Sequence, residues 1–210
     1  MTNPSLLSPN GARAIALIKN EHRALARMLG AMQALVARYR DPGAERNFEL
    51  FEAMVRYIEN VPDRVHHPKE EQVLFPALAR RTGECKKLVA ALEREHARGE
   101  PMITALRGAL HAFNCGTANS LNQLATAVDE FAEFYWHHMR TEEQQLLPLA
   151  VAHLTAEDWH RVESAFGDNI DPLFGAELTE DYRRLYQRIV ELTPTPLKSY
   201  LEGAAPGSGT

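Results

Sequence analysis

The chain has 210 residues, 45% of them hydrophobic, and a net charge of −5, enough for one domain with a sizeable core, or one domain plus a tail. Acidic and basic residues are mixed along its length, which argues against a nucleic-acid surface, and no run of about 18 apolar residues reads as a membrane span. The first residues show no basic stretch before an apolar core, so no signal peptide is expected, and Cys85 and Cys115 stand in no metal or redox spacing, so a reduced, cytoplasmic setting is expected.

In chain order, residues 12–39 place Ile15, Ile18, Leu25, Met28, Leu29, Met32, Leu35 and Val36 on one broad face, the spacing of an amphipathic helix. Asp41-Pro42-Gly43 stops it. A second helix is predicted over 46–81, interrupted or bent near Pro62 and Pro68, with a break at Thr82-Gly83. A third spans 84–113, with a distortion at Gly99 and Pro101. An Asn- and Gly-rich loop covers 114–119, and a fourth helix runs from Ser120 to His153. Four such helices with short connections predict an all-α, up-down-up-down four-helix bundle. Thr155 and Asp158 have the spacing of a capping box that opens a short fifth helix, which Asp171-Pro172 breaks. Thr179-Glu-Asp181 opens a sixth, ending before Pro194 and Pro196. The bundle domain is thus assigned to 1–153, two short C-terminal helices packed on it to 154–200, and a disordered tail to 201–210.

The two halves of the bundle repeat one another. The segment HHPKEEQVLFPAL at 66–78 and the segment HHMRTEEQQLLPLA at 137–150 fall into register when their EEQ triplets and prolines are superposed. The common pattern is then H-x-x-x-E-E-Q-x-L-x-P, which pairs His66 with Glu70 and His138 with Glu142. His67 aligns with Met139. An Glu-His doublet precedes each copy at nearly the same distance, Glu21-His22 and Glu95-His96.

A histidine and a glutamate four residues apart share one helix face. Two such pairs, with His22 and His96 from the other helices, bring four imidazoles and two carboxylates to a common core. Buried polar groups without partners cost a few kcal/mol each, and a bare carboxylate far more. A pair of metal ions resolves the conflict, with Glu70 and Glu142 bridging. Nitrogen and oxygen donors without thiolate suit iron, with manganese or zinc as alternatives. The metal ligands read from the sequence are therefore His22, His66, Glu70, His96, His138 and Glu142. Glu71 and Glu143 are read as outward-facing or supporting residues, and His67 and His137 as supporting or surface residues. A rival register pairs His67 with Glu71, because Pro68 can kink the helix between His66 and Glu70. Tyr135, three residues before His138, is read first as packing, with ligation, hydrogen bonding or a redox role as alternatives, and His111, His153 and His160 are read as ordinary. Glu21 and Glu95 point about 100° away from the adjacent histidines, so they need not touch them.

These four segments resemble the hemerythrin family, in particular the bacterial hemerythrin-like domains named for a His-His-Glu cation-binding pattern. The resemblance covers roughly residues 12–153. It implies a four-helix bundle with a non-haem diiron centre, two bridging carboxylates and an oxo or hydroxo bridge. It also implies binding or sensing of dioxygen or nitric oxide, or handling of peroxide. Oxygen-carrying hemerythrins place two histidines four residues apart on the third helix. Here the residue four after His96 is Glu100, either a substitute ligand or, as favoured, a bystander. One imidazole fewer weakens a simple carrier role and favours open coordination positions.

The principal expectation is a protein that binds small ligands at an open diiron site. The alternatives are a diiron enzyme, of catalase, peroxidase or iron-oxidase type, and a metal or gas sensor acting through its C-terminal helices. Those helices cap the bundle, form a homodimer contact or bind a partner. A branch that repairs damaged clusters is disfavoured, because no cysteine precedes Cys85.

Overall fold

The computed structural model describes residues 7–167 and 175–201. Every element found there is helical, and the described residues form seven helices. α1 is Pro9–Arg38, capped by the Ser8 hydroxyl accepting from the Gly11 N–H at 3.1 Å, with Pro9 in the first turn, where its missing N–H costs nothing. α2 covers 48–81 and α4 covers 120–153, each one continuous helix interrupted by wider turns. α3 is Lys86–Asn114. α5 is Ala156–Gly167, α6 is Gly175–Leu192 and α7 is Thr195–Leu201.

The wider turns are π-helical and fall at Pro62–His66, Glu70–Leu74 and Glu142–Leu146. Their placement follows from three prolines. A proline inside a helix donates no hydrogen bond, and its ring crowds the carbonyl four residues earlier. For Pro68, Pro76 and Pro148 those carbonyls belong to Arg64, Gln72 and Gln144, each inside one of the π segments. Bonding to the fifth residue instead of the fourth makes room, and such bulges concentrate at functional sites. The interruption or bend predicted near Pro62 and Pro68 takes the form of a local widening. α3 differs from expectation in the opposite sense and stays helical through Gly99 and Pro101. Pro101 and Ala97, whose carbonyl loses its partner, are both exposed, so the lost bond falls on the solvent side.

Among the described residues the C-terminal region holds three helices rather than two. Pro196 does not end the chain's helical structure but sits in the first turn of α7, a position that suits its fixed φ. α6 opens at Gly175, ahead of Thr179. The break at Asp171-Pro172 lies outside the described residues, as does the tail from 202 on; Leu201, assigned to that tail from the sequence, closes α7 and is buried.

α1 packs on α2 and α4, and α3 packs on α2 and α4. The extension lies on the same framework, with α5 and α7 against α1 and α6 against α2. Gly11 lies where α1 runs close to Trp159 of α5: a Cβ there would meet the Trp159 ring at 3.0 Å and Leu7 at 2.6 Å. The capping box at the start of α5 forms reciprocally. The Thr155 N–H donates to Asp158 at 3.1 Å, and the Asp158 N–H donates to the Thr155 hydroxyl at 3.3 Å. Arg81 and Arg161 also reach the buried Asp158 carboxylate, at 2.6 and 2.7 Å. Burial alone would raise its pKa, but these bonds overcome that and hold it below the ordinary range. Asp158→Ala removes a cap worth about 1 kcal/mol and charge-assisted bonds worth about 1.5–3 kcal/mol, discounted because both arginines remain half exposed. Thermal unfolding followed by circular dichroism should show a loss of about 2–3 kcal/mol, with metal content unchanged.

Two apolar clusters occupy the described core. One contains Leu25, Met28, Ile58, Ile103, Phe131, Tyr135 and Met139. The other contains Ile18, Leu74, Phe75, Leu92, Leu146 and Trp159. On each of the four long helices the polar pattern residues fall in sequence between members of the two clusters.

Candidate metal centre

The six sequence-derived residues converge in that layer. His22, His66, His138 and His96 are 2–9% exposed, and Glu70 and Glu142 are fully buried. The donor atoms form two sets, each lying within 4.8 Å: His22, His66, Glu70 and Glu142, and Glu70, His96, His138 and Glu142. Both carboxylates belong to both sets. The α2 and α4 bulges follow directly, since Glu70 and Glu142 each open a π segment.

The spacing is that of ligands around cations. Nε2 of His22 lies 3.1 Å from Glu142 Oε2 and 3.1 Å from Nε2 of His66. Nε2 of His66 lies 3.3 Å from Glu70 Oε1, and Nε2 of His138 lies 3.1 Å from Glu142 Oε1. Nε2 of His96 lies 3.5 Å from Glu70 Oε2. Two donors each about 2.1 Å from one metal ion, at right angles, are about 3 Å apart. Both oxygens of Glu70, both of Glu142, and the Nε2 atoms of His96 and His138 are buried without a well-aligned hydrogen bond. Six such atoms in one layer would be costly, so these residues fit a pair of cations.

A ring of carboxylates surrounds the layer. Glu21 of α1 accepts from His66 Nδ1 on α2 at 2.6 Å, and Glu71 of α2 accepts from His96 Nδ1 on α3 at 2.8 Å. Glu95 of α3 accepts from His138 Nδ1 on α4 at 2.8 Å, and Glu143 of α4 accepts from His22 Nδ1 on α1 at 3.0 Å. Each helix thus orients the histidine of the next, and the fourth closes onto the first. A proton held at Nδ1 leaves the Nε2 lone pair facing inward. The sequence left these roles open for Glu71 and Glu143 and did not assign them to Glu21 and Glu95. The signal was present in the doublets Glu21-His22 and Glu95-His96, and Glu70-Glu71 and Glu142-Glu143. An adjacent residue points away from its own neighbour and therefore toward the next helix.

The electrostatics of the cluster without a cation follow from the same contacts. Burial would lower the pKa of His66, His22 and His138, yet the facing carboxylates raise all three, His138 to about 9. Burial would raise Glu142, but His138, His22 and His96 hold it well below the usual carboxylate range. His67 moves the other way: burial, and then the neighbouring His96, His66 and His138, push it well below 6.5.

The remaining predicted positions separate clearly. Glu100 and His137 are exposed. His67 is 5% exposed, which rules out the surface position allowed to it from the sequence, and its ring stacks on His96 at 3.8 Å and 11°. Adjacent residues His66 and His67 both face the core because π turns on either side of His67–Lys69 reset the helical phase. In the rival pair, Glu71 contributes to neither donor set and bonds His96 Nδ1 instead. Tyr135 is 1% exposed and packs on Phe131, Phe134 and His138. A cavity of about 10 Å³, near the minimum for one water, touches the layer and is lined by Glu21, His22, Leu25, His66, His67, Tyr135, His138 and Met139.

Helices that bury a shared constellation of imidazoles and carboxylates, spaced as ligands, define a helical cation-binding domain. The hemerythrin HHE cation-binding domain model matches residues 13–150, and the chain belongs to that family. No curated protein and no solved structure matches it.

Proposed function

We propose that this protein is a non-haem diiron protein that binds dioxygen or nitric oxide, or acts on peroxide, in the core of an up-down-up-down bundle. The observation that carries the reading is the pair of donor sets sharing Glu70 and Glu142, because two carboxylates common to two nitrogen-bearing sets are what a dinuclear centre requires. The helix order is supported by the two apolar clusters. Along α1 the chain passes from Ile18 to Leu25, along α2 from Ile58 to Leu74, along α3 from Leu92 to Ile103 and along α4 from Met139 to Leu146. The order of the clusters reverses from each helix to the next.

Two iron ions bound there would supply coordination and electron transfer to a small ligand. The protein's own residues do the rest. The carboxylate ring fixes the imidazoles, so little reorganisation accompanies ligand binding. Leu25, Met139 and Tyr135 line a cavity too small for a bulky substrate and exclude bulk water from the layer. Among the described residues no helix is long and apolar enough to cross a membrane; a reducing cytoplasmic setting is part of this proposal.

The test is metal analysis of protein loaded with ferrous iron and exposed to air, followed by azide. About two irons per chain and a new charge-transfer band on azide addition are expected; a chain that retains no metal would refute the reading. A reversible spectral change with dioxygen and slow peroxide loss marks a binder, whereas sustained peroxide consumption marks an enzyme.

A further inference from the structure

The two donor sets described above are equal, with two imidazoles each. The surrounding residues are not. A third group of donor atoms within 4.8 Å consists of His67, His96 and His138. His67 stands edge-on to His138, with ring centroids 5.4 Å apart at 77°, while stacking on His96. His96 and His138 are themselves edge-on, 4.9 Å apart at 67°. One ring nitrogen from each of the three lies within 4.8 Å of the other two, a span that ligands of a single ion can occupy. Among the described residues the other donor set holds two imidazoles, His22 and His66, edge-on at 4.9 Å. The residue that matches His67 in the second half of the repeat is Met139, a buried thioether that lines the cavity.

Resting on the dinuclear reading, we propose that His67 is a seventh metal ligand, completing a three-histidine site with His96 and His138 beside the two-histidine site of His22 and His66. The missing imidazole at Glu100 is thereby supplied from α2 rather than α3. The device that allows it is the pair of π turns around His67–Lys69, which brings two consecutive histidines to the core. The centre is then asymmetric: one ion bound by three nitrogens and two bridging carboxylates, the other by two nitrogens and the same carboxylates. The small cavity touches His22 and His66 of one site and His67 and His138 of the other, so an incoming ligand would reach both positions.

The experiment measures iron per chain and the visible spectrum for the native protein, His67→Ala, His67→Gln and the exposed control His137→Ala, each with its melting curve. Native stoichiometry tests the dinuclear reading itself. Given two irons in the native protein, His67→Ala should hold one tightly and bind the second at least tenfold more weakly. His137→Ala should match the native protein. Imidazole added to His67→Ala should restore the second iron, which separates lost ligation from disturbed packing. Two tightly held irons and an unchanged spectrum in both His67 variants would overturn the proposal, as would a lost iron that imidazole does not restore in a variant that melts normally.

Discussion

Glu142→Ala is expected to reduce bound metal from two ions per chain to one or none. Its carboxylate belongs to both donor sets and lies 3.1 Å from both His22 and His138, so its loss weakens both positions at once. Glu95→Gln tests a different role. Glu95 holds the outer nitrogen of His138 and faces no cation position, so the variant should keep both ions with about 10–100-fold weaker affinity. Glu100→Ala, at an exposed position, should change neither. Metal titrations with a competing chelator distinguish the three results. Two tightly bound ions in Glu142→Ala would contradict the bridging assignment. The metal-free form of Glu142→Ala should also lose stability, because a buried carboxylate that balances raised histidines is gone; removing one partner of a buried pair costs about 3–5 kcal/mol. Its melting curve therefore has to be compared with that of the metal-free native protein.

The contrast between Glu142 and Glu95 also marks what the sequence could reveal. Repetition is visible in a single chain, and EEQ with its following leucine and proline aligns His66 with His138 without any structure. Helical spacing then places His66 with Glu70 and His138 with Glu142. Partnership between helices is not visible in this way. Glu21 sits beside His22 in the chain but bonds His66, and Glu143 sits beside Glu142 but bonds His22; the partner depends on which helix packs alongside. His67 was obscured for a related reason. An ideal α-helix cannot bury two consecutive positions in one small layer, and reading Pro68 as a kink hides the π turns that allow it. The proline that cast doubt on the register is part of what brings a further histidine inward. The third C-terminal helix was missed because prolines at 194 and 196 read as terminators, although Pro194 precedes the helix and Pro196 sits in its first turn, which accepts it.

Removing the metal is expected to lower the melting temperature, and by more at alkaline than at mildly acidic pH. Without cations the layer is balanced by protons. His138, His22 and His66 all titrate above their ordinary value of 6.5, His138 at about 9. A group whose pKa rises on folding stabilises the fold fully below its unfolded value, and that stabilisation is lost as pH climbs through the folded one. The metal-free protein should therefore weaken between about pH 6.5 and 9 as its imidazolium–carboxylate pairs lose their protons. The depressed Glu142 acts on the acid side: its contribution holds above the usual carboxylate range and disappears as pH falls through the lowered value. Binding a cation displaces the protons from Nε2, so affinity should rise over the same interval in which the metal-free form declines. At a free metal concentration a thousand times the dissociation constant, binding adds about 4 kcal/mol, or about 8–16 °C for a chain of this size. The gap between loaded and metal-free melting temperatures should widen from pH 6.5 to 9, and proton release should accompany loading at pH 7. Equal melting temperatures in the two forms across that range would mean that the imidazoles and carboxylates are balanced without cations, and the dinuclear assignment would fall with them.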